Sequence, residues 1–264
     1  MNVTKNIFLM IFLLLFLSNC GAPEKPITPP KAISSNYILI FIDKTLSFSD
    51  KNQYVIDKYN KALLKIIQEN IKQKNDKIEL YFVHDNTAGA KVFSSQIKAE
   101  LPDSAGLNPT DLVALRNDYQ LLIKKQKNKI IKQSTDALLT DNSNESGKHT
   151  DLLATINIID KKNSKKKENT VFKVFYLSDM VESMPNMDKR DFHKRPPYSA
   201  KEAAEWAVLD AKKFTDIDIE NVEITYVLPY SPMTSGYQNN PNVVAYWQKL
   251  FEIFGIDEIN ELEN

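Results

Sequence analysis

The 264-residue sequence predicts an α/β fold, Rossmann-like and doubly wound, with a mainly parallel sheet flanked by helices. Two observations carry this. From Tyr37 onward, strand-length apolar runs alternate with helix-length amphipathic stretches, which is the spacing that crossovers between parallel strands require. The first run, "YILIFI", is almost continuously apolar, as a strand covered on both faces is.

The elements follow in order. The first strand spans Tyr37–Ile42. Residues 52–73 place Val55, Tyr59, Ala62, Leu63, Ile66, Ile67 and Ile71 at helical spacing. "KIELYFVHD" (Lys77–Asp85) reads as a second strand, and Lys91–Ser94 as a short third one after the Gly89 turn. Residues 110–139 read as a helix with Leu112, Leu115, Tyr119 and Leu122 on one stripe, long enough that a break near Lys124–Asn128 is expected. A polar loop at Asp141–Thr150 precedes a helix at Asp151–Asp160. "TVFKVFYLSD" then gives a strand over Thr170–Ser178. Ser199 and Glu202 form a capping-box pattern for a helix through Phe214. A strand at Val222–Pro229 and a helix at Val243–Phe254 complete the alternation, and the stripe Tyr246, Trp247, Leu250, Phe251 and Phe254 is expected to pack on the sheet.

The ends differ from this body. "MNVTKNIFLMIFLLLFLSNC" has an early lysine and an apolar run from Ile7 to Leu17, the pattern of a secretory signal and too short for a comfortable membrane span. Removing residues 1–19 takes one lysine and no acid, leaving a formal charge of −1. That balance gives no reason to expect a nucleic-acid partner. Gly21–Ser35 is proline-rich and reads as an extended tether. The domain is expected over 36–256, with a long helical insertion at about 109–140 and an acidic tail at 257–264.

Ligands of open α/β sheets bind beyond the carboxyl ends of the strands. Three segments fall there: "DKTLS" after the first strand, "GKHTDL" before the helix at 151, and "LSDMVES" after the strand at 170. They supply Asp43, Thr45, Ser47, Thr150 and Asp179, all oxygen donors. A hard cation such as Mg²⁺ takes about six oxygens at about 2.1 Å and keeps some waters, so a set with few carboxylates leaves positions open. Singly, Asp43 and Thr150 also read as helix N-caps, and Asp179 as an acceptor for loop amides.

The three segments resemble the metal-ion-dependent adhesion site of von Willebrand factor type A domains. "DKTLS" is similar to the D-x-S/T-x-S signature, Thr150 in "GKHTDLLATI" to the loop threonine, and Asp179 in "VFYLSDMVES" to the last aspartate. Leu46 stands where glycine is frequent, Thr45 where serine is, and Met180 where glycine is common. The resemblance implies that the hydroxyls ligate Mg²⁺, Mn²⁺ or Ca²⁺ directly, that the aspartates act largely through water, and that an acidic side chain of a protein ligand fills the open position. It implies an interaction module rather than an enzyme. Lys44, Lys148, Arg190, Lys194 and Arg195 are placed to strengthen an anion preference.

"LSNC" resembles a bacterial lipoprotein cleavage box, which implies a lipidated Cys20, the only cysteine, and a domain tethered to the cell envelope by that anchor alone. Gly21 in place of an aspartate favours the outer membrane.

Other readings compete. "DKTLS" is also similar to the "DKTGT" motif of phosphatase-like enzymes with a nucleophilic aspartate, although Thr45 stands where a second acid serves as general acid. A metal-free structural lipoprotein is a third reading. The histidines His84, His149 and His193 match no zinc spacing and read as solvent-facing loop residues. "KKNSKKKE" (Lys161–Glu168) reads as a solvated turn at the opposite end of the sheet. The loops Asp179–Pro197 and Pro229–Pro241 mix aromatics, methionines, arginine and amides, as a protein-binding rim does.

Overall fold

The computed structural model describes residues 34–45, 52–140, 149–184, 189–230, 234, 236 and 239–263. The signal, Cys20, residues 21–33 of the expected tether, Ser47 and Lys148 lie outside them, and Ser35, read as the tether's end, opens β1. The chain runs β1 (Ser35–Asp43), α1 (Gln53–Asn70), β2 (Lys77–Val83), a 3₁₀ turn (Thr87–Gly89), β3 (Lys91–Gln96), α2 (Pro109–Leu139), α3 (Ala154–Asn163), β4 (Thr170–Leu177), α4 (Ala200–Ala211), β5 (Val222–Val227), α5 (Pro241–Ile253) and β6 (Ile259–Glu261). One sheet in the order β3-β2-β1-β4-β5-β6 results. Every pairing is parallel except β2 with β3. This is a mixed, mostly parallel sheet flanked by helices, the α/β class that the sequence predicts.

β1 holds the fold together because both of its faces are covered. Tyr37, Leu39 and Phe41 join a core with α3, α4 and α5, which includes Ile156, Trp206, Tyr246, Trp247 and Phe251. Ile38, Ile40 and Ile42 join the opposite core with α1 and α2, which includes Tyr59, Leu63, Ile67, Ile123 and Ile130. The residues from Ile38 to Ile42 are all fully buried. Each such side chain contributes about 1.5–3 kcal/mol of apolar burial, an upper figure because unfolded chains are partly compact. The α5 stripe is core as its spacing predicts.

Several boundaries depart from the sequence reading for identifiable reasons. α2 is unbroken, since Lys124–Asn128 contains no helix breaker and Gln126 is anchored where its Oε1 accepts from the Lys98 amide at 2.8 Å. Asn108 caps it, accepting from the Asp111 amide, with Pro109 in the first turn. Ser199 caps α4, but Glu202 reaches back to the amide of Tyr198 rather than of Ser199. α3 begins at Ala154, not 151, because its first amides are taken by side chains described below. The segment read as an acidic tail carries a sixth strand: Ile259 pairs with Ile224 and is buried, and its amide donates to Gln248 Oε1 at 2.9 Å. The turn into it uses Gly255 at φ +91°, where the Ile256 amide returns to the Phe251 carbonyl.

Below the sheet's apolar centre lies one ionic cluster. Glu79 on β2 is buried, receiving Lys77 Nζ on Oε1 at 2.7 Å and Lys162 Nζ on Oε2 at 2.7 Å, with the Tyr81 hydroxyl at 3.0 Å. Burial pushes its carboxyl up, but the bonds from Lys162 and Lys77 outweigh that and hold it at about 2. A folded-state value below the ordinary one near 4.5 gives stability that is fully present above that value and is lost as the pH falls through about 2. Glu79→Gln is expected to lower the unfolding free energy at neutral pH by about 1–3 kcal/mol. The gap between wild type and variant should shrink on acidification across that window, as followed by urea unfolding at stepped pH. A gap that stays constant down to the lowest pH would show that the charge itself contributes nothing.

Candidate functional site

The carboxyl ends of β1 and β4 meet at adjacent positions in the sheet, and their last residues deliver the site. Asp43 closes β1, 2% exposed. Its Oδ1 accepts from the Thr45 amide at 2.9 Å and from Thr45 Oγ1 at 2.6 Å, and its Oδ2 accepts from Ser178 Oγ at 3.1 Å. Thr150 Oγ1 donates in turn to Thr45 Oγ1 at 3.1 Å, across 105 residues of sequence. Asp179 Oδ1 accepts from the Val181 amide at 2.9 Å, and the Tyr230 hydroxyl approaches its Oδ2 at 3.5 Å. Asp43, Thr45, Thr150 and Asp179 are all buried. The structure thus brings together four of the five predicted donors, and the fifth, Ser47, lies outside the described residues.

The helix-cap readings of two of them do not hold. α1 starts behind Asn52, well away from Asp43. Thr150 caps nothing: at the start of α3 the amides of Leu152 and Leu153 donate to Glu182 Oε2 at 2.7 and 3.0 Å, and the Ala154 amide to Asp151 Oδ1 at 3.1 Å. Asp179 does satisfy a loop amide, as its simpler reading predicts, and does so with one oxygen.

Electrostatics mark the same place. Burial, and then the neighbouring Asp179 carboxylate, push Asp43 up to about 7 against the hydrogen bonds from Thr45 and Ser178. Burial and the same two carboxylates raise the phenols of Tyr59, on α1, and Tyr230. Two carboxylates in a buried site are a liability unless a cation is near. Among the described residues no lysine or arginine pairs with Asp43. Each threonine hydroxyl uses its proton inward, which leaves lone pairs to offer. The donor set therefore fits a hard divalent cation, held by Thr45, Thr150, Asp43 and Asp179. Among the described residues no group of three His, Cys, Asp or Glu side chains converges on a point, so a zinc-type site is not formed there.

The histidines are not all solvent-facing loop residues. His84 is buried and its Nδ1 accepts from the Asn86 amide at 3.0 Å, His149 Nδ1 lies 3.0 Å from the Ser183 carbonyl, and His193 is exposed.

Sequence reasoning missed three contributors. Ser178 stands one residue before the flagged aspartate, and Tyr59 lies in a helical stripe that reads as pure core. Glu182, inside the loop, fixes the Thr150 segment to the Asp179 segment.

The position after Asp179 explains a departure from the resemblance. Met180 has φ +62°, a left-handed backbone that favours glycine. It is held there by the Ser178 hydroxyl, which accepts its amide at 3.0 Å, and by Trp247 Nε1, which donates to its carbonyl at 2.6 Å. Its side chain is 1% exposed, in the core. Glycine would relieve about 1–2 kcal/mol of backbone strain, but emptying a buried Met site costs about 2–5 kcal/mol. Met180→Gly is therefore expected to destabilise the protein by about 1–3 kcal/mol in urea unfolding. A stabilised variant would mean that strain outweighs packing at this turn.

No protein-family model and no curated protein sequence matches the chain. Solved structures similar to it include a manganese-loaded TRAP protein of Plasmodium vivax, with a TM-score of 0.37 and 13% identity over 79% of this chain and 62% of that one. Another is the conserved hypothetical protein BatB of Bacteroides thetaiotaomicron, with a TM-score of 0.38 and 11% identity over 87% of this chain and 91% of that one. A third is proximal thread matrix protein 1 of the mussel byssus, with a TM-score of 0.40 and 8% identity over 87% and 44%. The chain spans less than two thirds of the length of the first and third. Likenesses this distant add nothing to the strand order and site geometry already described.

Proposed function

We propose that this chain is an interaction module of the von Willebrand A type that binds a protein ligand through a divalent cation at the carboxyl end of its sheet. The observation that carries the reading is the hydrogen-bonded set Asp43–Thr45–Thr150 beside Asp179, four oxygen side chains from three separate loops with two carboxylates close enough to perturb each other. Thr45 and Thr150 offer neutral oxygens, while Asp43 and Asp179 hold charge behind them. Bound there, Mg²⁺ or Mn²⁺ would supply a poorly neutralised Lewis-acid position that an acidic ligand side chain completes. Lipidation at Cys20 would place the module in a bacterial envelope, on the outer membrane by preference.

The anion preference rests on that cation rather than on nearby basic side chains. Lys44 is buried and donates to the Leu138 carbonyl at 2.8 Å, at the end of α2. Arg190 pairs with Asp210, Arg195 with Glu202 and Lys194 with Asp191. The described members of the basic rim that the sequence suggests are thus held by local partners.

A cation bound only by the folded state raises stability with its concentration, by about 2.7 kcal/mol at a hundredfold excess over its dissociation constant. For a domain of this size that is a rise of about 5–10 °C in melting temperature. Melts of the full chain with and without MgCl₂ or MnCl₂ should show this rise, and Asp43→Ala and Thr150→Ala should lose it. Recovery of an envelope protein in pull-downs should fall with EDTA and with Thr150→Ala. A melt indifferent to both metals would remove the cation from the reading, and phosphate-ester hydrolysis abolished by Asp43→Asn would replace it with an enzyme.

A further inference from the structure

Helix α2 is longer than the sheet it packs on. Its 31 residues span about 46 Å, whereas the seven residues of β2 span about 23 Å. Two contacts fix its placement. Gln126 meets the Lys98 amide just past the end of β3, at the amino-terminal end of β1 and β2, and Leu138 meets Lys44 at their carboxyl-terminal end. All the fully buried residues of α2 lie from Ile123 onward: Ile123, Ile130, Ser134, Ala137 and Leu138. Tyr119 still packs against the core, and residues 109–118, about 15 Å of helix, extend past the sheet at the end opposite the candidate site.

This overhang and the outer surface of the supported half share one stripe. Asp111, Leu115, Asp118, Leu122, Lys125 and Lys129 recur at alternating steps of four and three residues, which puts them on one face of a helix, and Lys132 continues the row. That face points away from the buried row. Leu121 beside it is 65% exposed and Leu122 49%. Among the described residues no ion pair engages Asp118, Lys125 or Lys129. Asp111 and Asp118 lie on the amino-terminal side of Leu122 and Lys125, Lys129 and Lys132 on the other, before the row ends on Asp136, which pairs with Lys132 at 2.6 Å. A stripe with this arrangement is complementary to itself when reversed.

We propose that α2 is a self-association element, pairing antiparallel with α2 of a second copy about a two-fold axis at Leu122. In that register Leu122 meets Leu122, Asp118 lies one residue from directly opposite Lys125 of the second copy, and Asp111 lies as close to its Lys132, which Asp136 of the same helix also holds, each contact occurring twice, as a two-fold interface requires. Each overhang lies on the supported half of the other helix. An anionic lipid surface suits this face less well, because Asp111 and Asp118 on the stripe oppose it. The pairing turns the amino-terminal ends of both sheets towards the middle of the dimer and sets the two candidate sites at its far ends.

The test is sedimentation velocity of the full chain in non-ionic detergent at low and high salt. A dimer that weakens with salt is expected. Asp118→Lys and Lys125→Asp should each weaken it about tenfold, and the double reversal should restore it. All these residues are exposed, so thermal melts of the variants should match wild type. In a Cys20→Ser background, Leu122→Cys should form a disulfide-linked dimer under mild oxidation. Val113→Cys, displaced along the helix from the axis, should not. A monomer at every concentration overturns the proposal. So does a dimer indifferent to both reversals, or one that cross-links through position 113 in preference to 122.

Discussion

The arrangement of the site depends on keeping a charged group at the end of the most buried strand. Asp43 follows five consecutive residues with no exposed surface, so its carboxylate has little solvent to stabilise it. It is stabilised instead by three short-range donors, the Thr45 amide and hydroxyl and the Ser178 hydroxyl. Those donors set the shape of the site. Thr45 must fold back over the strand end, and its hydroxyl, its proton committed to Asp43, becomes the acceptor for Thr150. The second carboxylate, Asp179, then raises the energy of the first, and on the proposed reading a cation would relieve that repulsion.

Geometry this close has to be supported from behind. Glu182 and Ser183 clamp the Thr150 loop to the Asp179 loop. Glu182 takes the Leu152 and Leu153 amides, the Ser183 hydroxyl accepts the Thr150 amide, and the Ser183 amide donates to the Thr150 carbonyl at 2.9 Å. Burial, with Asp151 next to it, drives the Glu182 carboxyl well above its ordinary range, while Oε1 has no hydrogen-bond partner among the described residues. On the other side Trp247 fixes the Met180 carbonyl and so the strained turn after Asp179. The two loops therefore behave as one piece, and displacement of Thr150 would carry Asp179 with it.

What the sequence reveals follows from range. Alternating apolar runs are local, so β1 to β5 and the five helices are legible, and so are Asp43, Thr45, Thr150 and Asp179, each in a short motif at a strand or helix end. Features decided by distant partners are not. The start of α3 is displaced by a carboxylate about 30 residues downstream, and the direction of Lys44 is set by a helix end 94 residues away. β6 has three residues, ends on Glu261 and follows Asp257 and Glu258, and this charge conceals it as a strand while protecting the sheet edge it forms.

The treatment of basic residues separates this site from an ordinary anion pocket. Lys44 sits at the carboxyl-terminal turn of α2, where the helix dipole favours a cation. Arg190 forms two bonds to Asp210 at 2.7 and 3.3 Å and lies 4.5 Å from the Trp206 ring centroid, and Arg195 lies 4.8 Å from the same ring. Asp210 is further held by Lys213 at 2.6 Å and by the Tyr246 hydroxyl at 2.9 Å. Arg190 and Arg195 tie their segment to α4, Tyr246 links Asp210 to α5, and the two arginines have acidic partners there. A partner's carboxylate approaching the site would therefore meet neutral hydroxyls and two buried acids, which repel it, unless a cation lies between. On the proposed reading, selectivity for an anionic ligand and dependence on a metal are the same property, because Lys44, Arg190 and Arg195 are engaged by the Leu138 carbonyl, Asp210 and Glu202.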